Sequence, residues 1–366
     1  MSPVITSHRV LTDTEVAFLS LIRLGIGHNV TDALIVSDWS VLQALATRQG
    51  LAAVLLDGID RLSETERPPK ALLLQWIGET LQSYEYRSEL YRRAIAEMAG
   101  FFNEHGQKMM ILKGYACGLN WPKPEHRPCG DIDIWLFGKS READLLLECE
   151  KGIEVNRSEP HHTVFYWRDF MVEDHFDFID VNHHRSHRAL EKTLKELGKD
   201  DTHSVELYGE KVYVPSPNLH ALFLQRHSML HFLSGEFSIR QLLDWAFFVK
   251  AHGKDVDWLW LQDVLEQHGM TPLFHLFNAI CVEDLGFETD LFPKGEIDTE
   301  LKKRVLSEIL SPEFSETQPA GLVPRVAFKF RRFRANGWKH KLCYKESMWS
   351  AFWSGVWGHL LKPKSI

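Results

Sequence analysis

The 366-residue sequence is poor in cysteine, and the five it has build no framework. Cys117, Cys129, Cys149, Cys281 and Cys343 are scattered, odd in number and without a Cys-x-x-Cys pair. That excludes a zinc ribbon and a disulfide scaffold and predicts a reduced, intracellular protein. No run of 18 uncharged apolar residues occurs, so no membrane-spanning helix is expected. Residues 1–15 lack a basic start followed by an apolar run, so no signal peptide is expected and a cytoplasmic location is. Internal repeats and low-complexity tracts are also missing. What is present is ample apolar material, 44% of the chain with 22 Phe and 12 Trp. Such a composition builds a core and excludes global disorder. The length is that of two modules, or of one core with additions.

Positive charge is scarce overall, with a net charge of −8, so the chain as a whole is no polyanion binder. The exception is the segment from Gly321 to Ile366, where ten Lys+Arg face one acid, Glu346, for a net +9. Taking +9 from −8 leaves −17 on the other 320 residues.

Hydrophobic periodicity divides the chain into helices, an α/β centre and helices again. Residues 1–105 read as an N-terminal helical region. Thr12 or Asp13 caps a first helix, and a long one runs from about Ala71 to Glu104 after the break at Pro68-Pro69. Residues 106–215 read as the α/β core. Its strands are expected at Met109–Leu112, Asp131–Leu136, Thr163–Arg168 and Phe170–His183, with a hairpin over Val205–Val214 turning at Gly209. Residues 216–320 read as a helical domain, and 321–366 as a basic, Trp-rich C-terminal segment. The fold class is therefore α+β, a small mixed-sheet core flanked by helical regions.

The sharpest chemical signal is Gly130-Asp131-Ile132-Asp133-Ile134. Two residues apart on a strand, Asp131 and Asp133 project from one face about 7 Å apart. Like charges so close repel, and a bound divalent cation removes the repulsion. Magnesium commonly takes one or two carboxylates plus phosphate oxygens. The bland alternative, two solvated aspartates at a strand end, is common for an isolated Asp-x-Asp. Context lifts the pair above it: a strand ending in Lys113-Gly114 comes 17 residues earlier, and a helix begins just after that glycine, where backbone N–H groups can approach a phosphate.

Ile111-Leu112-Lys113-Gly114, followed by Arg127-Pro128-Cys129-Gly130-Asp131-Ile132-Asp133, resembles the polymerase-β-like nucleotidyltransferase superfamily, and more narrowly the bacterial uncharacterised nucleotidyltransferase family. The resemblance extends to Phe178–His183, to His227 with His231, to Arg240–Asp244-Trp245 and to Asp257-Trp258, about residues 35 to 360. It implies a nucleotidyltransferase core with a mixed sheet of five strands or fewer. It also implies Mg2+- or Mn2+-dependent transfer of a nucleoside monophosphate from an NTP to a hydroxyl acceptor that the sequence does not identify. Carried over, Asp131 and Asp133 bind the catalytic metals. Asp180 is the third carboxylate, bound to metal and helping to deprotonate the acceptor, with Asp177 on the opposite strand face as its competitor. Lys113, Gly114, Arg127 and Gly130 handle the triphosphate, and His183 orients Asp180 or touches phosphate. The sequence departs from the superfamily where Tyr115 replaces the small residue after the loop glycine. That departure favours a rival reading, a nucleotide- or partner-binding module that keeps the fold without turnover.

Nineteen histidines are many, and His161-His162 and His183-His184-Arg185-Ser186-His187 are clusters. A zinc site needs three or four converging ligands, which neither cluster supplies by spacing alone. His227 and His231 sit one helical turn apart, but Ser228 stands where a zinc protease carries Glu; a hydrogen-bonded polar pair is the expectation. In the basic segment, Trp349, Trp353 and Trp357 fall on one helical stripe. Packing against the acidic body is the first expectation for it; an RNA contact through residues 325–366 is the alternative. Oligomeric state is not legible.

Overall fold

The period-two stretches of the centre become a six-stranded mixed sheet. The computed structural model describes residues 9–30, 34–181, 185–314, 319 and 321–345. The strands are β1 (Met110–Ile111), β2 (Ile132–Trp135), β3 (His162–Trp167), β4 (Phe170–His175), β5 (Ser204–Leu207) and β6 (Glu210–Tyr213). They lie in the order β3-β4-β2-β1-β6-β5. β1 runs antiparallel to β2 and parallel to β6, and β2 runs parallel to β4. Two antiparallel hairpins, β3–β4 and β5–β6, close the edges. The expected count of five or fewer is exceeded because the hairpin at Gly209 joins the same sheet. Tyr208 and Gly209 both have positive φ, 52° and 87°, which lets a two-residue turn match the twist of its strands.

The described chain forms two compact units. The first takes its described residues from 1–80, 227–250 and 265–345 and is helical. Its N-terminal helix, Asp13–Gly25, is capped by Thr12, one of the two expected caps, in a capping box in which Thr12 and Glu15 satisfy each other's backbone N–H. That helix crosses Ala52–Asp60 closely enough that a Cβ on Gly25 or Gly58 would overlap the carbonyl of Val54 or Leu21. Two buried indoles here are paired: Trp76 Nε1 donates to the Ala52 carbonyl at 2.9 Å, and Trp245 Nε1 to Asn278 Oδ1 at 2.8 Å. In the basic segment, Lys339 forms a buried ion pair with Glu308 at 2.6 Å, and Arg304 stacks over Trp338 at 4.0 Å. Part of that segment is thus packed as the first expectation has it. Trp349, Trp353 and Trp357 lie outside the described residues.

The second unit takes its described residues from 81–226 and 251–264 and contains the sheet. Helix Arg87–Glu104 covers one sheet face. Ile95, Met98 and Phe102 cluster with Ile111, Ile132, Ile134, Val172 and Val212. The long predicted helix is realised as Lys70–Thr80, a π-helical turn Leu81–Tyr86, and Arg87–Glu104. No helix among the described residues is long and apolar enough to cross a membrane.

The expected strand Phe170–His183 is half that length. β4 ends at His175, although Phe176 and Phe178 continue the alternation in the sequence. The backbone N–H groups of Phe178 and Ile179 donate to the Glu191 carboxylate at 3.1 and 3.0 Å, not to a neighbouring strand. Phe178 still buries its ring, 4.9 Å from that of Trp135. The alternation of faces stops with the ladder, since Phe178 and Ile179 are both buried.

Candidate active site

Parallel pairing of β2 with β4 builds the site. The register sets Ile132 opposite Val172, Asp133 opposite Glu173 and Ile134 opposite Asp174. Paired residues of parallel strands share a face, and faces alternate along each strand. Ile132, Ile134 and Val172 enter the core. Asp131, Asp133, Glu173 and His175 are left on the other face, two residues apart on each strand.

Asp133 is nearly fully buried, with its side chain 1% exposed, whereas that of Asp131 is 36% exposed. Lys113, at the end of β1, brings its ammonium 2.9 Å from Asp133 Oδ1 and 3.8 Å from Asp131 Oδ2. The position of Lys113 is fixed by the sheet, since the Leu112 N–H donates to the Asp133 carbonyl at 3.0 Å. From β4, His175 Nε2 donates to Asp133 Oδ1 at 3.1 Å and lies 3.6 Å from Glu173 Oε2. Ligand atoms of Asp133, Glu173 and His175 all fall within 4.8 Å of one another.

The electrostatics follow from this crowding. Burial and the neighbouring Asp133 charge push the Asp131 carboxyl up. Burial pulls the Lys113 ammonium down, but Asp133 and Asp131 overcome it and its pKa is raised. Burial likewise opposes charge on His175; hydrogen bonds to Asp133 and Glu173 win and bring it to about 9. The His175 hydrogen bond holds Glu173 below the usual carboxylate range. Two protein cations, Lys113 and His175, thus stand among the three carboxyl groups.

Next to the carboxylates, Gly114 takes φ +59°, and a Cβ there would overlap the Tyr91 hydroxyl. That hydroxyl donates to the Asp131 carbonyl at 2.9 Å. Glycine is thus required both by the backbone conformation and by a group that positions Asp131. A cavity of about 110 Å³ opens on the same loop, lined by Arg92, Gly114, Tyr115, Arg127 and Cys129 among others. Gly114 and Arg127 are therefore brought together around one cavity, and Lys113 joins the aspartates. Gly130 has no atom within 4 Å of a would-be Cβ, so packing does not demand glycine there.

Asp180 lies past the end of β4, and its carbonyl accepts from His187 Nδ1 at 2.6 Å. Asp177 is engaged by Lys195. Neither is in the three-ligand groups found among the described residues, whereas Glu173 is. His183 lies outside the described residues. The residues that sequence reasoning passed over are Glu173 and His175. Their signal was available: Glu-x-His is a second period-two polar pair, facing Asp-x-Asp once β2 and β4 are paired.

A divalent cation fits this face. The donor set is three carboxyl groups and an imidazole, and hard cations prefer such oxygen ligands. His175 Nδ1 is a buried ring nitrogen that makes no hydrogen bond among the described residues, which leaves that imidazole able to turn.

A family model described as "Uncharacterised nucleotidyltransferase" matches residues 36–286. A solved structure, the crystal structure of an antigenic nucleotidyltransferase-like protein from Paracoccidioides brasiliensis, aligns at 16% identity with a TM-score of 0.33. The alignment covers 48% of this chain and 85% of that one. No curated protein matches the sequence.

Proposed function

The chain belongs to the uncharacterised nucleotidyltransferase family, and from that premise we propose that it moves a nucleoside monophosphate from an NTP to a hydroxyl acceptor, with pyrophosphate leaving. The observation that carries this reading is the in-register pairing of Asp133 with Glu173, with Asp131 on the same face. Asp131, Asp133 and Glu173 would hold Mg2+ or Mn2+, with Glu173 in the role that the resemblance assigns to Asp180. A bound divalent cation would supply charge neutralisation for the triphosphate and activation of the attacking oxygen. His175 fixes the Asp133 carboxylate through its 3.1 Å hydrogen bond. The Tyr91 hydroxyl holds the Asp131 backbone. Lys113 is placed to exchange its carboxylate partners for phosphate oxygens, and Arg127 and Gly114 border the cavity that would receive part of the nucleotide.

The test is intact mass of the protein, and of acceptors in cell extract, after incubation with each NTP and Mg2+. A nucleotide-monophosphate increment is expected for the wild type and for Asp180→Asn, and its loss for Asp131→Asn and Glu173→Gln. An increment that survives in Asp131→Asn and Glu173→Gln refutes the assignment. Tyr115, half-buried beside Gly114, favours the second reading, a module that binds nucleotide without turnover. Mg2+-dependent NTP binding with no increment in any fraction would select it.

A further inference from the structure

Beside the carboxylates stands a second polar cluster, of which the proposed nucleotidyl transfer uses only His175. β3 and β4 pair in antiparallel register with His162 opposite His175. His161 precedes β3, and its ring lies 4.4 Å from that of His162 and 5.7 Å from that of His175, centroid to centroid. One ring nitrogen from each of the three lies within 4.8 Å of the others. His162 is 8% exposed and His175 5%.

Three imidazoles in one buried cluster have little reason to gather without a shared guest. His175 has carboxylate partners on its Nε2 side, but elsewhere in the cluster ring nitrogens run short of partners. His162 Nδ1 and His161 Nε2 face each other at 3.2 Å. Of the other four ring nitrogens, His161 Nδ1 and His175 Nδ1 are buried and make no hydrogen bond among the described residues. The 3.2 Å spacing also has a metric meaning. Zinc–nitrogen bonds of about 2.0–2.1 Å at tetrahedral angles set two ligand nitrogens about 3.3 Å apart. The His161–His162 pair already has that bite. Glu173 Oε1 lies 3.9 Å from His162 Nε2, so a carboxylate borders the cluster and favours a cation over an anion.

We propose that His161, His162 and His175 form a nitrogen-donor cation site that takes Zn2+ or a similar borderline divalent transition metal, next to and distinct in chemistry from the oxygen-rich face of Asp131, Asp133 and Glu173. Imidazole nitrogens select such metals over Mg2+, which prefers oxygen. His175 belongs to both neighbourhoods, since its Nε2 reaches Asp133. Occupancy of the nitrogen site would therefore act on the orientation of Asp133.

The site does not rest on the transferase reading, and the experiment keeps the two apart. The full chain, stripped with chelator, is dialysed against Zn2+ in the presence of excess Mg2+, and bound zinc is counted. The His161→Gln/His162→Gln variant is run beside it, with its fold checked by circular dichroism. X-ray absorption of the zinc-loaded wild type reports imidazole ligands directly and needs no variant. The expected result is one zinc retained against Mg2+, imidazole-rich coordination, and at least a tenfold loss of zinc affinity in the variant with Mg2+-dependent NTP binding kept. No zinc retained by the wild type, coordination without imidazole, or equal zinc binding by a folded variant overturns the proposal. Zinc bound as expected with no nucleotide increment would leave the site standing and remove only the transferase.

Discussion

Asp174 is the residue whose removal should stabilise the protein, and the effect should depend on pH. The β4 alternation that places Glu173 and His175 on the site face turns Asp174 to the opposite one. There it is fully buried, accepting one hydrogen bond, from Ser140 Oγ at 3.0 Å, with the Asp144 carboxylate nearby. Burial, more than the Asp144 charge, raises it from 3.8 to about 7. In an acid whose folded pKa is raised, the folded state holds a proton that the unfolded state has released. Below about pH 4 both states are protonated and nothing is lost. As pH rises from about 4 to about 7 stability falls, and above that the full cost of a buried charge is carried. About three units at about 1.4 kcal/mol each give a ceiling of about 4 kcal/mol, reduced by whatever water or side-chain movement relaxes the charge. Asp174→Asn keeps the shape and an acceptor for Ser140 but has no charge to bury. Urea unfolding of both proteins from about pH 4.5 to about pH 8 should show the variant gaining on the wild type by up to that ceiling, most of it between about pH 5 and pH 7. A stability difference that does not change across that range would refute the argument.

Lys113→Met removes the ammonium from between the aspartates. Calorimetric titration should show Mg2+ binding more tightly in the absence of nucleotide and NTP binding more weakly; unchanged values for both would exclude Lys113 from the site. His175→Gln loses the charged group that orients Asp133, and metal affinity should fall about 10–100-fold, as for other partners of metal ligands; metal titration followed by calorimetry measures this. Gly198→Ala places a Cβ 2.7 Å from the Trp135 ring, an overpacking that should cost about 1–3 kcal/mol in denaturant unfolding. A chelator should abolish any nucleotide increment and added Mg2+ or Mn2+ should restore it, read by intact mass.

The parts of the fold that were legible are those fixed by short-range chemistry. Thr12 announces a helix cap, Gly209 a hairpin turn, and Asp131–Leu136 a strand by its alternation. What was not legible depends on long-range partners. The end of β4 is set by Glu191, which takes two backbone donors from Phe178 and Ile179, and nothing local marks that competition. A strand extended to His183 makes Asp180 a strand residue, while the true register sets Glu173 against Asp133. The convergence of His161, His162 and His175 likewise needs the β3–β4 register, because sequence adjacency supplies only two of the three.

The site face carries compensating cations of its own. Asp131, Asp133 and Glu173 crowd a largely buried sheet surface, and unpaired buried charges are too costly to persist. Lys113 and His175 supply the compensation, at 2.9 and 3.1 Å from the same Asp133 oxygen. Neither is inert filler. A lysine can follow a phosphate as a mobile point charge, and an imidazole can give up its proton when another cation arrives. The arrangement thus holds the three carboxyl groups close and makes their compensation exchangeable. Binding of a divalent cation should therefore release protons, and calorimetry in buffers of different ionisation enthalpy should show metal-binding heats that scale with the buffer. Heats independent of the buffer would mean that His175 keeps its proton and that the cation binds only at the outer carboxylates.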